Sequence, residues 1–260
     1  MRAQSVSVTH RRFGLIIVTC CLFPMLFAVA STRAAEEMKR SPKEEQAKSA
    51  KVQKDAKAIR ALVKKLQARY EKTRDLQADF TQSTHIEGFA TPITSSGRVY
   101  IKKPGHLRWD YLDPNVEEIY VNRDDVMMYV PEHKQVLVGK LTQMAASQAP
   151  LQLLQGVAKL EEQFDVEPTP DGRGEDGLPL ITLLPKATEP DSVRTVAKII
   201  LDLQPKTHFI KRVAIHEVSG NVSSFQFDNL KPNSGLNNTL FEFDVPAGVE
   251  VVKAPALSPP

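Results

Sequence analysis

The sequence predicts a mainly β protein, built on one antiparallel sheet of about ten or eleven strands with helices on one side. Three observations predict it. An amphipathic helical stretch comes first, a run of short alternating segments follows, and a helix-forming stretch interrupts that run. A sheet with so many strands should curl, so we expect the helices to lie on its concave side.

The first 30 residues have the features of a cleavable secretory signal. Arginines precede an apolar run of about 18 residues, and the stretch closes on the small residues Ala28 and Ala30. The run is broken by Pro24 and is marginal for a membrane anchor. We therefore expect residues 1–30 to be removed and the remaining chain to be exported.

The composition changes once this segment is set aside. The chain has 34 Lys and Arg against 31 Asp and Glu, and three of the cations lie in residues 1–30, which hold no acid. The remainder is formally neutral, which gives nucleic acid no electrostatic attraction. Both cysteines also lie in residues 1–30, so the exported chain has no disulfide, thiol nucleophile or zinc cluster.

The exported chain divides into three parts. Residues 31–54 are charged and poor in apolar side chains, which predicts a flexible segment with some helix. A folded domain is expected over 55–252, and the Pro-rich tail 253–260 should be disordered. The domain opens with a helix over 56–73, with Asp55 as its N-cap. Its apolar stripe consists of Ile59, Leu62, Val63, Leu66 and Tyr70.

Period-two alternation then predicts the strands. They are 76–84, 95–103, 106–112, 117–123, 126–132 and 134–140, then 178–185, 196–203, 208–218, 222–230 and 240–246. Short connections between successive strands predict an antiparallel meander. The interruption contains predicted helices over 141–156 and within 157–166, and a mobile Gly/Asp-rich loop at 170–177.

The strand 106–112 has a large apolar face. Leu107, Trp109 and Tyr111 alternate with polar residues and therefore share one side. Such a face either packs into a dry core or lines a cavity for an apolar ligand. Alternation alone leaves both possibilities open.

The sequence contains no pattern typical of an enzyme. It has no G-x-S-x-G, H-E-x-x-H, EF-hand or Walker motif, and its exported histidines are far apart along the chain. We therefore predict no catalytic residues, no metal site, no cofactor and no enzymatic activity. Those histidines are His85, His106, His133, His208 and His216.

Four segments in order, after the secretory signal, resemble the periplasmic outer-membrane lipoprotein carrier family LolA. They are LQADFTQ (76–82), SSGRVYIKKPGHLRWDY (95–111), VMMYVPEHKQV (126–136) and APLQLLQG (149–156). The resemblance covers about residues 56–252. It implies an incomplete, half-open β-barrel with an N-terminal helix and an inserted helical lid over an apolar cavity.

The resemblance also implies a function in the periplasm. Members of the family take acylated lipoproteins from an inner-membrane ABC transporter and deliver them to an outer-membrane lipoprotein receptor. We expect a monomer that binds no nucleic acid. Two alternatives keep the same fold: a carrier of a glycolipid or terpenoid that works with an exporter, and a lipoprotein-sensing module.

Site residues follow from the same resemblance. The acyl cavity is expected to be lined by Leu107, Trp109, Tyr111, Phe80, Leu153 and Phe227. In the family, an Arg before the Pro of the strand-turn motif binds lid backbone in the closed state, and Lys103 stands at that position here. Its implied partners are backbone carbonyls near Tyr70, Leu154 and Gln155. Because an ammonium lacks the planar fork of a guanidinium, Lys103 should hold the closed state less firmly.

Overall fold

The structure is a computed structural model. It describes residues 42–140, 154, 157, 160–186 and 195–253. Residues from Ala50 onward form one compact unit, and of the preceding unit only the start of the first helix is described. Three predictions therefore lie outside the described residues: the signal over 1–30, the disordered tail beyond residue 253, and the helical lid apart from Leu154. Leu153 and Gln155 lie outside them as well.

The described elements are two α-helices, two 3₁₀ helices (Pro131–His133 and Asn238–Phe241) and twelve strands. The α-helices are α1 (Pro42–Lys72) and the short α2 (Leu160–Gln163). The first six strands are β1 (Asp75–His85), β2 (Ile93–Lys102), β3 (His106–Asp113), β4 (Glu117–Asn122), β5 (Asp125–Val130) and β6 (Gln135–Lys140). The others are β7 (Phe164–Arg173), β8 (Pro179–Pro185), β9 (Val196–Leu203), β10 (Ile210–Glu217), β11 (Val222–Pro232) and β12 (Glu250–Lys253).

Helix α1 begins earlier than the sequence predicts. It starts at Pro42 instead of residue 56, so Asp55 lies inside the helix and caps nothing. The added turns are rich in Lys, Glu, Gln and Ala, which are strong helix formers, and proline is tolerated in a first turn. The predicted apolar stripe is confirmed, since Ile59, Val63 and Leu66 are at most 1% exposed.

One sheet contains all twelve strands, in the order β12-β6-β5-β4-β3-β2-β1-β11-β10-β9-β8-β7. The predicted meander is confirmed, because β1 to β6 pair in sequence and antiparallel. The terminal strands β7 and β12 do not pair with each other. The sheet is therefore unclosed, as expected of an incomplete barrel.

The region after residue 156 was predicted wrongly in part. Within the predicted helix over 157–166, α2 is helical but the chain from Phe164 onward belongs to β7, and β7 also takes up the first half of the predicted loop at 170–177, ending at Arg173. In β7, Phe164 and Val166 pack against the core, so tertiary contacts outweigh the local helix and loop signals.

The C-terminal region also differs from the prediction. Residues 240–246 form no strand; a 3₁₀ helix runs over Asn238–Phe241, and the chain pairs with the sheet only at β12. This strand lies parallel to β6, which gives twelve strands instead of ten or eleven. The alternation of Phe241 and Phe243 reflects packing onto the sheet from outside, where Phe243 lies 5.0 Å from the Tyr120 ring.

A single apolar cluster joins α1 to one face of the sheet, which we call the inner face. It combines the stripe of α1 with alternating residues of the strands. Leu154, Val157 and Leu160 add to it from the chain between β6 and β7. The opposite, outer face carries the polar residues of β3.

Candidate functional site

Strand β3 contributes the largest side chains to the inner face. Leu107 is fully buried and Trp109 is 1% exposed, while Tyr111 is half-buried. The predicted sharing of one face by these three residues is confirmed. Their neighbour Arg108 lies on the outer face, where it contacts Tyr120.

Aromatic rings from β1, β3 and β11 meet around Trp109. Its ring lies 4.5 Å from Phe80 on β1, and 5.6 Å from Phe225 and 6.2 Å from Phe227 on β11. Tyr111 packs edge-on against Phe80 at 5.2 Å. Of the six residues predicted to line the cavity, the structure thus brings four together: Phe80, Trp109, Tyr111 and Phe227. Of the other two, Leu107 shares the inner face of β3, and Leu153 lies outside the described residues.

Phe225 is a member of this group that the site prediction missed. It is 2% exposed and packs perpendicular to Trp109. The signal was present, because Phe225 and Phe227 are two residues apart on one strand and so share a face. Phe227 alone had been assigned to the cavity.

A glycine allows these rings to pack closely. A Cβ atom at Gly97 on β2 would lie 1.9 Å from the carbonyl oxygen of Asp110 and 2.9 Å from Cε1 of Phe80. Both distances are shorter than any van der Waals contact. The missing side chain at Gly97 therefore lets the Phe80 ring cross β2 beneath β3.

The aromatic group ends in a polar row on the same face. The Tyr111 hydroxyl donates to Oε1 of Gln82 at 2.7 Å, and Nε2 of Gln82 donates to the Thr84 hydroxyl at 3.0 Å. The Thr84 and Ser223 hydroxyls are 3.2 Å apart. Burial raises the pKa of Tyr111, so its hydroxyl stays protonated and acts as a donor. The inner face thus has an apolar part and a polar end.

The indole N–H of Trp109 is buried, and the structure gives it no hydrogen-bond partner among the described residues. A buried donor left without a partner costs roughly 1–3 kcal/mol. Trp109 is the chain's one tryptophan. Its fluorescence therefore reports on the inner face alone.

A small apolar cavity lies where α1 ends. Its volume is about 10 Å³, room for roughly one water molecule. It is lined by Tyr70, Leu76, Ala78, Val99, Ile101, Leu154, Ile210, Phe227 and Leu230. An acyl chain can enter at this point only if the lining side chains move apart.

Lys103 lies beside this cavity, at the last turn of α1. Its Nζ donates to the carbonyl oxygen of Tyr70 and lies 3.5 Å from that of Glu71. Carbonyls at a helix C-terminus lack partners within the helix and carry the negative end of its dipole. The implied contact with the backbone of Tyr70 is therefore present, and the predicted partner Leu154 is buried against the same cavity as Tyr70.

The ammonium of Lys103 is partly withdrawn from water. This burial lowers the pKa of Lys103, and the nearby Glu71 carboxylate opposes the shift. The Nζ of Lys103 donates to the Tyr70 carbonyl and lies 3.5 Å from the Glu71 carbonyl oxygen, so only one contact is strong. An ammonium lacks the planar fork with which a guanidinium binds two oxygens at once. The contact at the end of α1 is thus a single, replaceable one.

The outer face of β3 carries a paired charge network. Arg108 donates from Nε to Asp110 at 2.8 Å, lies 3.5 Å from Glu118, and stacks over the Tyr120 ring at 4.9 Å from its centroid. Arg108 also donates to the carbonyl of Leu240 at 3.4 Å. Burial raises the pKa of Asp110, and Arg108 acts in the opposite direction. This network holds the C-terminal segment against the sheet.

The part of the chain that the structure describes offers neither a metal-binding group of side chains nor a helix suited to spanning a membrane. No group of three or more His, Cys, Asp and Glu side chains is placed to hold a metal ion. None of the described helices combines the length and apolar character needed to cross a membrane.

An unclosed antiparallel sheet whose aromatic inner face is covered by a long helix defines the incomplete-barrel class of proteins. The family profile described as "Outer membrane lipoprotein carrier protein LolA" matches residues 71–244. The chain therefore belongs to the LolA family, and the resemblance inferred from its four segments is confirmed.

Named relatives agree with this assignment. The chain is 31% identical to the outer-membrane lipoprotein carrier protein of Methylococcus capsulatus, over 72% of this chain and 85% of that protein. It is 30% identical to that of Methylobacillus flagellatus, over 73% and 88%. Among solved structures, a LolA superfamily protein from Nitrosomonas europaea aligns with a TM-score of 0.47 at 14% identity, over 71% of this chain and 97% of that one.

Proposed function

We propose that this protein is a non-enzymatic periplasmic carrier that binds the acyl chains of outer-membrane lipoproteins at the inner face and transfers them through water. The observation that carries the proposal is the burial of Leu107 and Trp109 in one apolar cluster that also contains the stripe of α1. The relatives' names supply the cargo class.

The energetics of acyl chains explain the need for a carrier. Each CH₂ group buried from water contributes about 0.8 kcal/mol, so one long chain resists desorption by roughly 10 kcal/mol. Several chains on one lipoprotein multiply this barrier. A protein that covers the chains with the rings around Trp109 replaces the membrane as their apolar surroundings.

Release requires that the empty protein be stable as well. Leu154, Val157 and Leu160 join α1 in the apolar cluster of the inner face, and Lys103 fixes the end of α1 through the Tyr70 carbonyl. A single hydrogen bond of this kind contributes roughly 1 kcal/mol, more when a charge is involved. Cargo that supplies matching apolar surface can therefore displace the cover, and the cover can return when the cargo leaves.

The partners belong to the same proposal. An inner-membrane ABC transporter would supply the acylated lipoprotein, and an outer-membrane receptor would take it up. The Lys103 contact is the closed-state latch in this scheme, with Tyr70, Leu154 and Gln155 as the residues it joins. Leu153 would line the cavity from the lid side.

The experiment is a titration of the mature protein with a synthetic triacylated lipopeptide, read by Trp109 fluorescence. We expect saturable binding by the wild type. Leu107→Glu places a carboxylate on the inner face and should abolish binding, because an ionised group in an apolar site is strongly disfavoured. Leu112→Glu is the matched control on the same strand, since Leu112 is 54% exposed. It should bind as the wild type does.

Circular dichroism of the variants completes the test. A folded Leu107→Glu that no longer binds supports an accessible apolar site, whereas its unfolding would indicate a sealed core and contradict the proposal. Native mass spectrometry of protein purified from periplasm gives the natural cargo. A bound lipoprotein supports the proposal, and a glycolipid or terpenoid in its place would overturn the cargo class.

A further inference from the structure

The solvent side of α1 is strongly basic. Between residues 50 and 72 the helix carries eight Lys or Arg and two acids, Asp55 and Glu71. The eight cations are all exposed: Lys51, Lys54, Lys57, Arg60, Lys64, Lys65, Arg69 and Lys72. We call this set the basic face.

Helical geometry places these cations together. Successive residues turn by about 100°, so the basic face lies opposite the buried stripe of Ile59, Val63 and Leu66. At about 1.5 Å per residue the basic face extends for roughly 30 Å. Its charges are therefore spread over the solvent side of the helix, where an approaching surface meets them.

The rest of the domain has the opposite charge. Residues 73–260 contain 18 Lys or Arg and 25 Asp or Glu. The neutrality of the exported chain thus conceals a segregation of charge between α1 and the chain that follows it. Such a distribution orients a protein in front of a charged surface.

The local potential of the basic face is visible in its neighbour His208. Burial lowers the pKa of His208, and the nearby charges of Lys65 and Arg69 lower it further. Arg69 also donates to the carbonyl of Thr207 at 2.8 Å, which ties the turn between β9 and β10 to the helix. No described carboxylate forms an ion pair with Lys54, Lys57 or Lys64.

The residues between the cations indicate the kind of partner. The exposed positions are largely alanines, among them Ala58, Ala61 and Ala68, and the basic face has no aromatic or large aliphatic side chain. Stable protein interfaces depend on such anchors at their centre. Attraction to anionic lipid needs only the charge of Lys or Arg near the surface.

We propose that the basic face docks the protein reversibly on anionic phospholipid headgroups of a membrane surface. The contact is electrostatic and shallow, because nothing on this side of α1 can insert into the acyl region. It leaves the inner face free for cargo. Docking would concentrate the protein at the bilayer, where acylated molecules enter or leave the membrane.

The test is co-sedimentation of the mature protein with vesicles. The vesicles are pure phosphatidylcholine or phosphatidylcholine mixed with phosphatidylglycerol. We expect binding to the anionic vesicles only, falling steeply as salt is added. The triple variant Lys57→Glu, Arg60→Glu, Lys64→Glu should bind roughly tenfold more weakly or worse.

A matched control changes net charge equally elsewhere. Lys134→Glu, Lys231→Glu and Lys253→Glu alter three exposed lysines outside α1, and this variant should bind anionic vesicles nearly as the wild type does. Equal binding to both vesicle types, no binding at all, or an equal loss in the control variant would each overturn the proposal. The lipopeptide titration is run in parallel, because a docking variant that still binds cargo separates this inference from the carrier function.

Discussion

The two faces of β3 are covered in opposite ways. On the inner face, Leu107 and Trp109 are buried in an apolar cluster, where their contacts are mainly between rings and aliphatic side chains. On the outer face, Arg108 joins Asp110, Glu118 and the Leu240 carbonyl through directed polar contacts. One strand therefore supports a non-directional cover on one side and a directional one on the other.

This difference shows which cover can be exchanged. Apolar contact depends on area and not on orientation, so under the proposed function an acyl chain could replace the contacts that α1 and Leu154 make with the inner face at little cost. Charge-assisted hydrogen bonds require particular partners, and lipid cannot supply them. The C-terminal segment on the outer face, including Phe241 and Phe243, should therefore stay in place while the groups that cover the inner face move.

The largest expected effect is at Gly97. In Gly97→Ala the new Cβ meets the Asp110 carbonyl and the Phe80 ring, so β2 and β3 must separate. We expect a loss of about 3 kcal/mol or more in the free energy of unfolding, measured by urea denaturation. Ser96→Ala, at the neighbouring half-buried position, is the control. Equal stability of the two variants would show that the close approach is not required.

An intermediate effect is expected on the outer face. Arg108→Ala leaves the Asp110 carboxylate, which is 8% exposed, without its cation, so unfolding should become easier by about 2 kcal/mol. Arg98→Ala breaks an exposed pair with Asp79 and should cost less than about 1 kcal/mol. Lipopeptide binding should survive in both variants. If Arg108→Ala lost lipopeptide binding in proportion to its loss of stability, the two faces of β3 would not differ in their contribution to cargo binding.

The smallest effect on the free energy of unfolding is expected at Lys103. The same change should have the most specific effect on how often α1 moves away from the inner face. Lys103→Ala removes the contact with the end of α1 and should cost roughly 1 kcal/mol. It should also increase binding of a hydrophobic dye, as the cover opens more often. Lys103→Arg retains the cation and adds donors, so its dye binding should be no higher than that of the wild type. Unchanged dye binding in Lys103→Ala would rule out the latch.

Much of this fold could be predicted because the signals were local. The apolar stripe of α1 and the alternation along β1 to β6 each follow from neighbours a few residues apart. The same alternation predicted the shared face of Leu107, Trp109 and Tyr111, whereas Phe80 and Phe227 were predicted to line the cavity from the resemblance to the LolA family. These are the regions where propensity, pattern and tertiary contact agree.

The failures came where distant contacts decide. Strand β7 is set by pairing with β8, and β12 joins β6 from more than a hundred residues away, neither of which leaves a local pattern. Phe243 alternates like a strand residue yet packs on Tyr120 from outside. The partners of Arg108 were equally hidden, because Glu118 lies on another strand and Leu240 in the C-terminal segment.

The unclosed sheet also leaves two edge strands that could pair with other molecules and cause aggregation. An open edge can add a strand from a neighbouring molecule and begin a fibre. The outermost strand β7 contains Pro168 and Pro170, which lack an N–H to offer, along with the like-charged Asp165 and Glu167. At the other edge β12 has only four residues, two of them charged. The barrel can thus remain incomplete without becoming a template for aggregation.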